Sequence, residues 1–290
     1  MLSNTKKRGI NIKKFVELAR LDKPIGIFLL LWPSFLGLLL AGLETSIEFK
    51  NILIVIVGSV LVRSCGCVIN DISDYKFDRL VKRTAKRPIA TGDVSLLEAW
   101  LFFIFLSFLS LSLLFLTPSL TLKISALCAL LIAIYPMAKR FIKAPQFVLG
   151  ITFGSGVVIS YSLQSDIFSL SLLILYLGVV AWIISFDTFY ALEDIEDDKK
   201  IGVNSSAILW GSNAITIAKY LHYIFYASLA LVAYINEFSL FFIPVMIVLV
   251  AMQHYQMNLV ADKKYLDSFK FNNWIGIVSV IGFISEVYIF

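Results

Sequence analysis

The sequence predicts an all-α integral membrane protein with nine transmembrane helices. Mean hydropathy is +0.86, and only 16% of the residues are charged against 59% hydrophobic, whereas soluble domains carry about a quarter charged residues. Pro24–Leu43, Ala99–Leu122, Ala144–Ser165 and Ile167–Phe186 each lack Asp, Glu, Lys and Arg; about 20 such residues cross the hydrocarbon core as a helix. Lysines and arginines also gather in alternate connections. Seven precede Pro24, six lie from Lys76 to Arg87, and three from Lys139 to Lys143. This asymmetry is the positive-inside pattern, and it places the N-terminus and the basic loops in the cytoplasm. The C-terminus then falls on the opposite side. A net charge of +5 distributed this way is topology, so nucleic acid is excluded as a partner.

The elements follow in order within one domain, 1–290. Residues 1–23 read as a cytoplasmic segment. Within it, Ile10–Arg20 mixes Ile12, Phe15, Val16 and Ala19 with Lys13, Lys14 and Arg20, a short helix on the membrane surface. The first apolar run, 24–43, is of full length after a charged segment, so it reads as a span and not a cleaved signal. Further spans are read at 51–70, 99–122, 120–138, 144–165, 167–186, 212–234, 238–258 and 272–290. Gly150, Gly154 and Gly156 have the spacing that lets membrane helices approach. Cys65, Cys67 and Cys128 lie inside spans, and His222 and His254 are far apart, so no disulfide or zinc framework is expected. The charged material is concentrated in loops 71–98 and 187–200, after the second and sixth spans. Those spans run in the same direction, a hint of two pseudo-repeated four-helix units.

Two acidic clusters carry the chemistry. In Asn70-Asp71-Ile72-Ser73-Asp74-Tyr75-Lys76-Phe77-Asp78, helical periodicity puts Asn70, Asp74 and Asp78 within roughly 80° of arc, with Asp71 about 20° further. In the second cluster Asp187, Asp194 and Asp198 fall within about 40°, while Glu193 and Glu196 point elsewhere. Co-facial carboxylates at the end of a membrane helix repel one another unless a cation pairs with them, and such residues mark function. Magnesium fits: it takes oxygen ligands and keeps positions for substrate phosphates. Lys82, Arg83, Arg87, Lys139, Arg140, Lys199 and Lys200 supply the positive charge that a diphosphate needs. An ion path would instead place carboxylates at mid-membrane depth. Arg63 shares the face of Asn70 about 10 Å deeper, where it reads either as a fork for a substrate carboxylate or as an internal partner of an aspartate.

These residues resemble the UbiA family of intramembrane prenyltransferases. Asn70, Asp71, Asp74 and Asp78 match its first motif, N-D-x-x-D-x-x-x-D, and Asp194 and Asp198 its second, D-x-x-x-D. RLDKPIG (20–26), LLWP (30–33), GCVINDISDYKFDRLVKRTAKRP (66–88), YPMAKR (135–140) and DTFYALEDIEDDKKIG (187–202) resemble the branch that acts on 4-hydroxybenzoate. The resemblance implies Mg2+ held by Asn70, Asp74, Asp78, Asp194 and Asp198, and Arg140 near the substrates. It implies transfer of a polyprenyl chain from polyprenyl diphosphate to the ring carbon ortho to the hydroxyl of 4-hydroxybenzoate, in ubiquinone synthesis, in a cavity open to membrane lipid. It also implies that the nine helices ring a central cavity, and the candidate proton acceptors are then Asp71, Asp187 and the departing diphosphate itself. Related enzymes acting on haem, a menaquinone precursor or a chlorophyll-like acceptor share the aspartates, so the RLDKPIG and LLWP blocks and Arg63 carry the acceptor assignment.

Overall fold

A computed structural model describes residues 11–81 and 83–289, with the backbone alone at 131–141 and 201. All its regular elements among the described residues are helical: α1 (Ile12–Leu18), α2 (Ile25–Gly42), α3 (Phe49–Asp78), α4 (Pro88–Thr91), α5 (Leu96–Leu114), α6 (Ser119–Phe141), α7 (Pro145–Tyr161), α8 (Leu170–Glu193), α9 (Ile195–Ile201), α10 (Ser206–Trp210), α11 (Ala214–Ile235), α12 (Phe242–Ala261) and α13 (Tyr265–Tyr288). Six helical stretches among the described residues are long and apolar enough to cross a membrane: α2, α3, α5, α8, the α10–α11 stretch and α12. The protein is an integral membrane protein.

Exposure follows from position in the bundle. On α5, Leu97, Leu101, Ile104, Phe108 and Leu111 are all exposed at alternating steps of four and three, a single apolar stripe facing lipid. By contrast α2 and α8 are buried along most of their length. The central packing joins α2, α7, α8, α11, α12 and α13. Its middle is Trp182, fully buried, stacked on Phe225 at 4.6 Å between ring centroids, with its indole N–H donating to Asn272 Oδ1 at 2.8 Å. That hydrogen bond satisfies the one polar atom the indole brings into an apolar core.

Close approach of helices without a hydrophobic driving force depends on small residues. A Cβ on Gly37 would press into the backbone of Val157, joining α2 to α7; one on Gly178 would press into Ser228, joining α8 to α11. Gly150 and Gly154 leave room for Val180, and Gly156 for Ser34, which is the packing role expected of these three glycines. α1 falls within the expected surface helix. Leu18 and Ala19 are fully buried, Leu18 packs with Val68, Ile72 and Ile89, and Phe15 meets Phe102 edge-on at 5.1 Å. The helix is docked on α3, α4 and α5 through these side chains. Among its described apolar residues, Ile12, 74% exposed, points outward.

Gly37→Val should destabilise the fold by about 1–3 kcal/mol through overpacking, read as a lower Tm in detergent. An unchanged Tm would contradict the close α2–α7 approach.

Candidate active site

The first acidic cluster occupies the last turns of α3, and the loop that follows folds back over it. The Thr84 hydroxyl donates to the Asp78 carbonyl at 2.9 Å, capping an orphan acceptor at the helix end. Ala85 N–H reaches Val81 O at 2.9 Å and Arg87 N–H reaches Thr84 O at 2.9 Å. Arg87 precedes Pro88 and is extended (φ −65°, ψ 146°), as the proline ring requires of its predecessor. The Arg79 guanidinium ties the loop to Ala90 O at 2.9 Å. This fold-back delivers Arg83 and Arg87 to the carboxylates.

Arg87 Nη1 lies 3.0 Å from Asp71 Oδ1 and 2.9 Å from Asp78 Oδ2. Arg83 crosses to the second cluster. Its Nε donates to Asp194 Oδ1 at 2.9 Å and its Nη2 to Oδ2 at 2.5 Å, a fork on a carboxylate. The same guanidinium stands 4.8 Å over the Tyr190 ring, and Tyr190 in turn packs on Phe269 of α13 at 4.8 Å. Burial disfavours the charged form of both arginines. Burial is the largest single influence, but the raising ones together exceed it: for Arg83 the Asp194 hydrogen bond with the charges around it, and for Arg87 chiefly the charges of Asp71 and Asp78, so both lie above the ordinary arginine range. The ends of α3 and α8 are therefore joined through Arg83.

The second cluster departs from a continuous helix. α8 ends at Glu193, Asp194 takes φ −100° and ψ 3°, and α9 begins at Ile195. The co-facial arc read over Asp187, Asp194 and Asp198 is thus broken at its centre. Aspartate favours helix caps over helix interiors. The Asp194 backbone carbonyl still accepts from Asp197 and Asp198 N–H at 3.0 and 2.9 Å, so Asp198 stays one turn away. The Asp194 side chain makes no cap and is engaged by Arg83.

The other expected residues fall as follows. Asn70 Oδ1 is buried and has no hydrogen-bond partner among the described residues. Asp71 is 1% exposed, with Arg20 Nη2 at 2.9 and 2.7 Å from its two oxygens as well as Arg87. Asp74 and Asp187 are half-buried on α3 and α8, and Asp198 on α9. Arg63 stands 5.1 Å over the Phe153 ring of α7, and a Cβ on Gly26 would strike its guanidinium. Among the described residues the ion pairs of Asp71, Asp78 and Asp194 are with Arg20, Arg87 and Arg83. Lys82 and the side chains of Lys139 and Arg140 lie outside the described residues. Arg20 and Tyr190 carried no assigned role in the sequence. The signal for Tyr190 was its place one turn after Asp187 and one before Asp194.

The donor set fits a hard divalent ion: carboxylates, an amide oxygen without a partner, and nothing softer. Among the described residues no three acidic, histidine or cysteine side chains converge to cage an ion. Magnesium binds with one or two carboxylates plus substrate phosphates.

The UbiA prenyltransferase family model matches residues 30–277. The chain belongs to the UbiA prenyltransferase family. Among its relatives, the protein named 4-hydroxybenzoate octaprenyltransferase from Saccharophagus degradans is 38% identical, covering 94% of this chain and 92% of the relative. The protein of the same name from Vesicomyosocius okutanii is 39% identical, over 92% and 99%. The apo structure of a UbiA homolog from Aeropyrum pernix superposes with a TM-score of 0.78 at 26% identity, covering 89% of this chain and 96% of that one. A UbiA homolog from Archaeoglobus fulgidus bound to GPP and Mg2+ has a TM-score of 0.74 at 17% identity, covering 95% and 100%; at that identity it speaks for the UbiA fold alone.

Thr84→Val removes the cap on Asp78 O and should cost about 1 kcal/mol. Faster trypsin cleavage within 79–87 is the readout, and wild-type cleavage rates would contradict the capping role.

Proposed function

We propose that this enzyme transfers a polyprenyl chain from its diphosphate to the carbon ortho to the hydroxyl of 4-hydroxybenzoate, releasing diphosphate, in ubiquinone biosynthesis. The observation that carries this is the joining of the two aspartate clusters: Arg83, from the loop that folds back over the first cluster, forks Asp194 of the second, beside Arg87 on Asp71 and Asp78. The relatives' shared name supports the acceptor, and its octaprenyl part supports a long donor. The reading includes nine spans, the six above together with α6, α7 and α13, around a cavity open to lipid, and α3 and α8 as counterparts in a duplicated unit. The N-terminus and the mouth face the cytoplasm of a bacterial inner membrane, with the C-terminus opposite.

In this reading Asn70, Asp74, Asp78, Asp194 and Asp198 hold Mg2+, which when bound supplies Lewis-acid neutralisation of the departing diphosphate. Arg83 and Arg87, joined by Lys82, Lys139 and Arg140, add fixed positive charge where negative charge develops. The apolar wall of Phe186, Tyr190 and Phe269, edge-on or tilted to one another at 5.8 and 4.8 Å, keeps water from the ionising allylic chain. Arg63 receives the acceptor carboxylate. Its Nε is buried and without a hydrogen-bond partner among the described residues, and an unmatched buried donor costs about 1–3 kcal/mol. A carboxylate fork satisfies it. Asp71 has both oxygens engaged by arginines, and the proton acceptor in this reading is Asp187. C–C bond formation leaves one proton on the attacked ring carbon, and its transfer to Asp187 restores aromaticity.

Membranes holding the protein, incubated with 4-hydroxybenzoate, polyprenyl diphosphate and Mg2+, should yield the prenylated acid. Prenylation of a different aromatic acceptor alone would overturn the acceptor assignment. Arg63→Ala should raise KM for 4-hydroxybenzoate at least tenfold with a smaller effect on KM for the donor. An unchanged acceptor KM would remove Arg63 from the acceptor site.

A further inference from the structure

One sequence block remains unexplained by the chemistry above: RLDKPIG, at the end of α1. The structure gives its first residue an unusual conformation. Arg20 has φ +59°, the left-handed region that glycine normally fills after a helix. The turn around it is complete: Leu21 N–H reaches Val16 O at 3.0 Å and Arg20 N–H reaches Glu17 O at 3.2 Å, the paired bonds of a Schellman ending. An arginine in place of glycine there is strained, and such strain persists only where surrounding contacts over-determine it. The contacts are visible. Arg20 Nη1 donates to Glu17 O at 2.7 Å, and Nη2 spans both oxygens of Asp71.

Asp71 thus sits between two guanidiniums, Arg20 on one side and Arg87 on the other, and Arg87 continues to Asp78. The order Arg20–Asp71–Arg87–Asp78 alternates charge from the docked surface helix to a proposed magnesium ligand. A carboxylate 1% exposed has little water to stabilise it, so it requires both partners. Arg87, for its part, has a foothold on Asp71 that is independent of Asp78.

We propose that Asp71 is a positioning residue: pinned by Arg20, it holds Arg87 at the mouth of the site so that the guanidinium meets the substrate diphosphate. It is neither metal ligand nor proton acceptor. α1 thereby becomes part of the catalytic architecture, and the left-handed Arg20 is the join. This rests on the reading of the two acidic clusters as the diphosphate site. Arg87 carries five N–H donors in a planar fork, and its ion pairs among the described residues all run through Nη1. Nε and Nη2 therefore remain for phosphate oxygens, while Asp71 keeps the group oriented once a metal engages Asp78.

The test uses purified full-length enzyme, geranyl diphosphate, Mg2+ and 4-hydroxybenzoate, with Tm recorded for each variant. Asp71→Asn should raise KM for the diphosphate at least tenfold, leave KM for the acid unchanged and lower kcat less. The shape of the pH–rate profile should be kept. Arg87→Gln should do the same, and the double variant should be no worse than the poorer single one, since coupled residues are non-additive. Arg20→Gln, at a more exposed side chain, should give a smaller rise in the same KM and serves if Asp71→Asn does not fold. Additive effects of Asp71→Asn and Arg87→Gln, an unchanged diphosphate KM in Asp71→Asn, or a fall in kcat with an altered pH profile would each overturn the positioning role. No Mg2+-dependent saturation by the diphosphate in wild type would instead overturn the diphosphate site itself.

Discussion

Negative charge at the mouth of a membrane bundle must be matched by positive charge within reach. Asp71 and Asp78 are buried and Asp194 is largely so, with 14% of its side chain exposed. Water cannot screen them as it screens surface carboxylates. The chain answers with arginine, whose fork binds a carboxylate through two donors and remains charged under all physiological conditions. Arg20, Arg87 and Arg83 come from the end of α1 and the loop after α3. The requirement for compensation therefore organises the backbone: it draws α1 down onto α3, folds 79–87 back, and ties the end of α3 to the end of α8.

The rest of the bundle makes this join possible. α3 and α8 must present their ends at one level, and the small residues at the α2–α7 and α8–α11 crossings let the helices approach closely enough. Trp182 and Phe225 lock the centre by stacking, and Asn272 satisfies the one indole donor. Nearer the mouth the packing becomes aromatic and amphipathic: Tyr190 touches Arg83 on one side and Phe269 on the other. One side chain thus bridges the charged site and the apolar interior, where a prenyl diphosphate also changes character.

The helical content, the membrane character and the acidic clusters were legible because they depend on local periodicity and composition. Asn70, Asp74 and Asp78 share a face by spacing alone, and α3 runs unbroken through them. The break at Asp194 was not legible, since periodicity assumes a continuous helix and a capping residue ends that assumption. The partners of Asp71 were hidden for another reason: Arg20 lies 51 residues away, and tertiary ion pairs leave no periodic trace. Arg63 could be placed on the right face but not assigned a neighbour. Phe153 and Gly26, which hold it, come from other helices. α1 was legible as a helix, but its packing on α3, α4 and α5 was not, because an apolar face does not declare what will cover it.

The proposed chemistry requires the two helix ends to act as one diphosphate-binding unit. Electron paramagnetic resonance of Mn2+, titrated with and without geranyl diphosphate, tests this directly in wild type, Asp78→Asn and Asp194→Asn. Mn2+ should bind wild type far more tightly when the diphosphate is present, and either substitution, on its own helix end, should weaken that ternary binding at least tenfold. Wild-type affinity in either variant would contradict the joint site.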